Sequence, residues 1–307
     1  MRTAFIKTLT QIAETDPNIM LLVGDLGFGV VHEFSDRFPK QFVNVGVAEQ
    51  NMAGVDTGLA LSGKVVFTYS IANFPILRCL EQLRNDACYH SANVVSVSVG
   101  GGFSYGALGM THHGTEDISI MRSLPEMTVI APGDPLETQA ATQAAAQGIG
   151  PVFLRLGRAG EPEVHDRSQS WELGKAIVVR NGKDVTLVST GAMLQTTVHA
   201  ADILAQDGID ARVISMHTVK PLDDETVLQA ARETKALLTV EEHSQIGGLG
   251  SAVAEALFEA KDCRILCAKI ALPSEFSKHV GDQDYLRSMH GLSIENIVHK
   301  AKELVLG

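Results

Sequence analysis

The sequence is poor in cysteine, aromatic residues and basic charge, and each shortage excludes a class of protein. Four cysteines among 307 residues (Cys79, Cys88, Cys263 and Cys267) are too few for a disulfide scaffold. No CxxC pair suggests zinc or thioredoxin-like chemistry, so reduced thiols, a cytoplasmic location and no metal ligands are expected. Lys and Arg number 25 against 36 Asp and Glu, giving a net charge of −11 and a pI near 5.4. Nucleic acid is bound through clustered cations, and none occurs here. An anionic ligand therefore needs a local site. The longest stretch without Asp, Glu, Lys or Arg, residues 87–115, carries five glycines between 100 and 109 and three histidines. That composition belongs to a site loop, not a membrane span. Met1 to Thr10 holds Arg2 and Lys7 around a short apolar run, too short for a secretory signal.

What is present is a repeated alternation of short β-branched runs with amphipathic patterns, the mark of parallel βαβ units. In the first half the strands are predicted at 19–23, 42–45, 65–69, 94–99, 128–130 and 152–154. Helices are predicted between them at 4–14, 48–61, 74–90, 118–124 and 135–146. The last opens on Asp134-Pro135, an N-cap followed by proline at the first helical position. From 158 to 172 the pattern stops in a polar, aperiodic linker. It resumes with strands at 185–189, 211–215, 236–240 and 265–269, and helices at 193–206, 224–233, 249–259 and 294–305. The expectation is α/β architecture: two doubly wound, mostly parallel sheets, with domains at 1–157 and 173–307.

Ligands of such sheets sit beyond the carboxyl ends of the strands. After the first strand comes Gly24-Asp25-Leu26-Gly27-Phe28-Gly29, a turn able to bring backbone N–H groups to an anion but without dinucleotide spacing. After the second comes Gly46-Val47-Ala48-Glu49-Gln50. There Glu49 is either a helix-dipole partner or a carboxyl group in an apolar cleft, shared with a ligand nitrogen, and the two readings predict opposite pKa shifts. Tyr69 to Phe74 follow the third strand, with Phe74 either core or stacking platform. The long loop 100–117 carries adjacent His112 and His113, of which a proton-transfer histidine is the favoured reading. Gly247-Gly248-Leu249-Gly250 opens a helix that could take a phosphate, with close packing the commoner explanation. Glu241, Glu242 and His243 follow a strand as either a buried network or a site.

Gly24-Asp25-Leu26, Gly46 to Gln50, the segment 67–84 ending Glu81-Gln82-Leu83-Arg84, Gly109-Met110-Thr111-His112, Leu156-Gly157-Arg158 and Val240-Glu241-Glu242-His243 occur in the order of one family. The whole chain resembles the carboxyl-terminal half of transketolase in its two-chain form. The implied units are a pyrimidine-binding domain followed by the transketolase C-terminal domain. The resemblance implies that Glu49 hydrogen-bonds the aminopyrimidine of thiamine diphosphate and drives it to the imino tautomer that generates the ylid. That role needs burial beside Val45, Val47 and Met52 to outweigh the helix dipole. Phe74 and Tyr69 are implied at the cofactor along with Asp25, His112 at substrate hydroxyls, and Arg2 and Arg158 at a substrate phosphate. The reaction implied is transfer of a two-carbon ketol unit from a ketose phosphate to an aldose.

The family's Gly-Asp-Gly motif, which holds Mg²⁺ and diphosphate, does not occur in the sequence. An N-terminal partner subunit carrying it is therefore implied, with an α2β2 assembly. Leu108, Gly100 and Gly29 depart from the family's aspartate, histidine and serine, which puts the sugar in question. Two enzymes are rival readings: the beta subunit of a 2-oxo-acid dehydrogenase and a relative of deoxyxylulose-phosphate synthase. A non-catalytic nucleotide-binding or electron-transfer module stands as the alternative from another class.

Overall fold

A computed structural model describes residues 1–260 and 263–307. The strands are β1 (Ile19–Val23), β2 (Phe42–Asn44), β3 (Val65–Ile71), β4 (Val94–Val99), β5 (Thr128–Ile130), β6 (Val152–Leu156), β7 (Ile177–Arg180), β8 (Val185–Ser189), β9 (Ala211–Ser215), β10 (Thr218–Lys220), β11 (Ala236–Ser244) and β12 (Leu266–Leu272). They form a seven-stranded sheet ordered β10-β5-β6-β4-β3-β1-β2 and a five-stranded sheet ordered β12-β11-β8-β9-β7. Every pairing is parallel except those of β10 with β5 and β7 with β9. The α/β, mostly parallel architecture is thus as expected. β1, β4, β6 and β8 are buried at every residue, as strands covered on both faces by helices must be.

Three features differ from the sequence expectation. The sequence expectation omits β7, although it carries the β-branched run Ile177-Val178-Val179, and the three-residue β10; both pair as edge strands. β10 belongs in sequence to the second half yet extends the first sheet, so the second half contributes an edge strand to the first. The predicted helix 74–90 is broken into Phe74–Leu77, Leu80–Gln82 and a π-helical turn Leu83–Cys88. The break falls at Cys79 (φ −107°, ψ 10°), whose N–H bonds to Ile76 O in a tightened turn.

The segment 158–172 is anchored. Asp134 Oδ2 accepts the backbone N–H groups of Val164 and His165 and the His165 Nδ1–H, while its Oδ1 caps the helix Pro135–Ala145 at Glu137 N. Burial pushes Asp134 up, but these hydrogen bonds together hold it at about 2. Trp171 stacks on His217 with ring centroids 4.7 Å apart, and burial drives that histidine down to about 3.

Candidate active site

The seven-stranded sheet changes direction between β1 and β3: the chain leaves β1 toward β2 and returns to the opposite side as β3. The loops beyond these strands diverge and leave a crevice. Gly24 follows β1 there and packs beside Glu49: a Cβ on it would stand in ordinary contact with Glu49 Cγ, at 3.6 Å. Glu49 is the first residue of the helix Glu49–Leu61 and is 97% shielded from solvent. Its Oε2 accepts Arg78 Nη1 at 2.9 Å. The Arg78 guanidinium carbon sits 4.7 Å from the Phe74 ring centroid, and the His112 ring meets Phe74 edge-on at 5.1 Å. Glu49, Phe74 and His112, drawn from three separate loops, therefore form one contiguous row through Arg78.

Of the three apolar residues expected around Glu49, Met52 is fully buried and Val45 half-buried, but Val47 is exposed. Its side chain does not shield the carboxylate; Glu49 is buried from the Gly24 side and by Arg78. Sequence reasoning misses the part played by Arg78. Its spacing of four from Phe74, one helical turn, is the available signal.

The row borders an inter-sheet cleft of about 660 Å³ lined by Phe74, Arg78, Phe103, His113, Pro273 and His290 among others. His113 is buried, and its ring packs edge-on to Phe103. Its Nε2 faces the Gly106 carbonyl, which only accepts, so Nε2 carries the proton; burial lowers its pKa and keeps it neutral. Asn73 Nδ2 ties the same loop down by donating to His113 O. His112 keeps partial exposure and takes only a 3.0 Å contact from Thr111 Oγ1.

The remaining predicted residues lie elsewhere. Asp25 is exposed in a left-handed conformation (φ 55°), held by Asn44, which accepts from its N–H and donates to its Oδ1. That contact faces β2, away from Phe74. Tyr69 is 98% buried and stacks on Phe5. Burial pushes its phenol up, against the pull of its polar neighbour Arg2. Tyr69 thus does not reach the cleft; it backs Arg2 from inside the core. Arg158 is exposed, 5.5 Å from the Tyr105 ring centroid, beside a second cleft of about 570 Å³ that also receives Leu108, Gln283 and Arg287. Gly29 borders open space.

The Glu241–His243 run is a structural network between the sheets. Glu241 accepts Leu249 N and Gly250 N at 2.7 and 2.8 Å, so the helix start at Gly247–Gly250 is filled by a protein carboxylate, not open to phosphate. Burial raises its pKa. Glu242 accepts Phe103 N, Gln283 Nε2 and Arg287 Nη2. His243 Nε2 accepts Ser119 N, which leaves Nδ1 to donate to Ser244 O. Arg155, paired with Asp117 at 2.7 Å, donates to the carbonyls of Gly114 and Glu242. This network explains two of the glycines of the site loop. A Cβ on Gly101 would sit 2.7 Å from the Arg155 guanidinium, and one on Gly102, already at φ +64°, 2.4 Å from the Glu242 carboxyl carbon.

Among the described residues no cluster of three or more His, Cys, Asp or Glu side chains is arranged to hold a metal, and no helix is long and apolar enough to cross a membrane.

Comparison with known proteins matches residues 1–161 to the transketolase pyrimidine-binding domain and 174–297 to the transketolase C-terminal domain. The chain is 37% identical over 306 residues to an apulose-4-phosphate transketolase subunit of Phocaeicola vulgatus, covering 99% of this chain and 97% of the relative. It is 39% identical to a 6-deoxy-6-sulfo-D-fructose transketolase subunit of Clostridium sp. (strain MSTE9), covering 99% and 94%. It is 36% identical to 1-deoxy-D-xylulose-5-phosphate synthase of Desulforudis audaxviator, of which it spans 47%. A solved split gene transketolase, described as an inactive beta4 tetramer, superposes with a TM-score of 0.92 at 38% identity over 99% of this chain and 98% of that one. With both domains matched and relatives aligned end to end, this chain belongs to the transketolase family, as a subunit of a split transketolase-like enzyme.

Proposed function

We propose that this chain supplies the pyrimidine-binding half of a thiamine diphosphate site, and that with a partner subunit it transfers a two-carbon ketol unit from a ketose donor to an aldose acceptor. The observation that carries this reading is the buried Glu49 carboxylate, set in one row with the Phe74 ring at the sheet's change of direction. The proposed organisation is a pyrimidine-binding unit at 1–157, a linker at 158–172 and a C-terminal unit at 173–307, in the cytoplasm.

The donor set fits one half of the cofactor. A buried carboxylate and an aromatic face suit a planar aminopyrimidine, the carboxyl group bonding a ring nitrogen and Phe74 stacking. The Gly-Asp-Gly motif that holds Mg²⁺ and diphosphate in the family does not occur in the sequence. Those ligands are assigned to the partner, an N-terminal subunit carrying the diphosphate-binding domain, in an α2β2 assembly. When bound, thiamine diphosphate supplies the carbanion nucleophile that ordinary side chains cannot provide.

The chain's own residues then have distinct tasks. Glu49 Oε2 is engaged by Arg78, which leaves Oε1, beside Gly24, as the oxygen that would hydrogen-bond a ring nitrogen of the cofactor. Gly24 packs beside that carboxylate, and Asp25 with Asn44 holds the turn that follows. His112, partly exposed at the Phe74 edge, moves protons on substrate hydroxyls. Arg2, backed by Tyr69, and Arg158 bind the anionic end of the donor. The two subunit relatives are named for a sugar phosphate and a sulfo-sugar, both with an anionic group. Leu108 is apolar and Gly29 has no side chain, so recognition rests on these arginines.

The test is to co-purify the chain with its partner, add thiamine diphosphate and Mg²⁺, and screen phosphorylated and sulfonated ketoses against aldose acceptors. Ketol transfer by the mixture and none by either chain is expected. Turnover by this chain alone, or release of carbon dioxide from pyruvate in place of ketol transfer, would overturn the reading.

A further inference from the structure

Tyr105 is used by none of the tasks above, yet four independent contacts converge on it. Gly100, at the carboxyl end of β4, has φ +98°, and a Cβ built on it would lie 2.2 Å from Tyr105 Cδ2 and 2.3 Å from Cε2. The phenol ring therefore fills the volume that any side chain at position 100 would need. The Arg158 guanidinium carbon lies over the ring, 5.5 Å from its centroid. The Tyr105 carbonyl accepts Leu108 N at 2.8 Å, which starts the 3₁₀ turn Gly106–Leu108 at the head of the segment leading to His112. Tyr105 also packs, partly buried, against the core of the first sheet, which restrains the ring.

An exposed arginine gives up rotamer entropy on binding an anion, which costs affinity. A fixed aromatic face removes part of that cost by restricting the guanidinium plane beforehand, through cation–π attraction. We infer that Tyr105 is a positioning residue for Arg158: it takes the space of a side chain at 100 and holds the guanidinium toward the anionic end of the substrate. The inference rests on the assignment of Arg158 to that anion. It also gives Gly100 a physical role, since a donor side chain at 100 and the Tyr105 ring cannot occupy the same space.

The probe is inorganic phosphate, titrated into the full chain by calorimetry, followed by kinetics of the co-purified complex on a ketose phosphate and its unphosphorylated parent. Arg158→Gln should weaken phosphate binding. Tyr105→Leu should weaken it about two- to fivefold, and Tyr105→Phe should restore it, because the ring face is kept. Tyr105→Leu/Arg158→Gln should bind phosphate no more weakly than Arg158→Gln alone. In the complex, Tyr105→Leu should raise KM for the phosphorylated donor with kcat nearly unchanged and leave the unphosphorylated donor unaffected. If Arg158→Gln has no effect on phosphate, the anion assignment itself fails. If Arg158→Gln weakens phosphate while Tyr105→Leu does not, or if the two losses add in the double variant, the positioning role is overturned and the anion assignment stands.

Discussion

Asp56 offers a stringent test of the packing around the candidate site. It lies on the helix that begins with Glu49, is 99% buried, and has Thr57 Oγ1 donating to its Oδ1 at 3.1 Å. Burial pushes its carboxyl group up to about 8, and Asp86 adds to the shift. In the unfolded chain the same group titrates near 3.9. Below about pH 4 both states hold the proton and the residue imposes no pH dependence. From about pH 4 to 8 the unfolded chain releases the proton while the folded chain keeps it. Stability then falls with rising pH by about 1.4 kcal/mol per unit, and levels off above 8 once about 5 kcal/mol is lost. Asp56→Asn has the same shape and never ionises. Urea denaturation of both proteins at pH 5, 6 and 7 should show the variant's advantage growing by about 3 kcal/mol across that range. Subtracting the two curves removes every other titrating group. A difference that stays constant over those two units would refute the reasoning, because Asp56 would then be ionised in the folded state.

Three further outcomes are expected. Glu49→Ala, assembled with the partner, should lose at least about 100-fold in turnover while still binding cofactor by calorimetry, in keeping with the loss of a proton-transfer group. Arg155→Met leaves Asp117 buried without its cation and should cost about 3–5 kcal/mol in urea denaturation. Asp134 is held at about 2, so its contribution is present above about pH 4 and lost as pH falls through 2. Asp134→Asn should therefore be less stable than the parent by about 2–3 kcal/mol at pH 6, a gap that narrows steadily toward pH 2.

Much of this was legible in one dimension. The strands at 19–23, 94–99, 128–130, 185–189 and 211–215 have the predicted bounds, because strands covered on both faces are continuous apolar runs that announce themselves. The Asp134-Pro135 signal marked a helix start that the structure forms. β7 and β10 escaped notice for different reasons: β7 is a short β-branched run set between polar, glycine-bearing flanks, and β10 has only three residues, too few to show a period. The fragmentation of 74–90 was also invisible, since local helix propensity carries no information about where a neighbouring turn must tighten.

The sequence by itself determined the alternation of elements and, through motifs in a fixed order along the whole chain, the family to which they belong; that resemblance made Glu49, Phe74 and His112 candidates. Element type depends on residue type at a short interval, which is a local property. Only the tertiary structure decided which of the candidates stand together. It joined those three through Arg78, buried Tyr69 behind Arg2, turned Asp25 toward Asn44, and filled the glycine-opened helix with Glu241. It also supplied a reason for Gly100, whose missing side chain is replaced by a ring five residues away. Contacts of this kind arise from the crossing order of strands in a sheet and from the exclusion of atoms from one another's volume, and neither quantity is written in the spacing of residues along the chain.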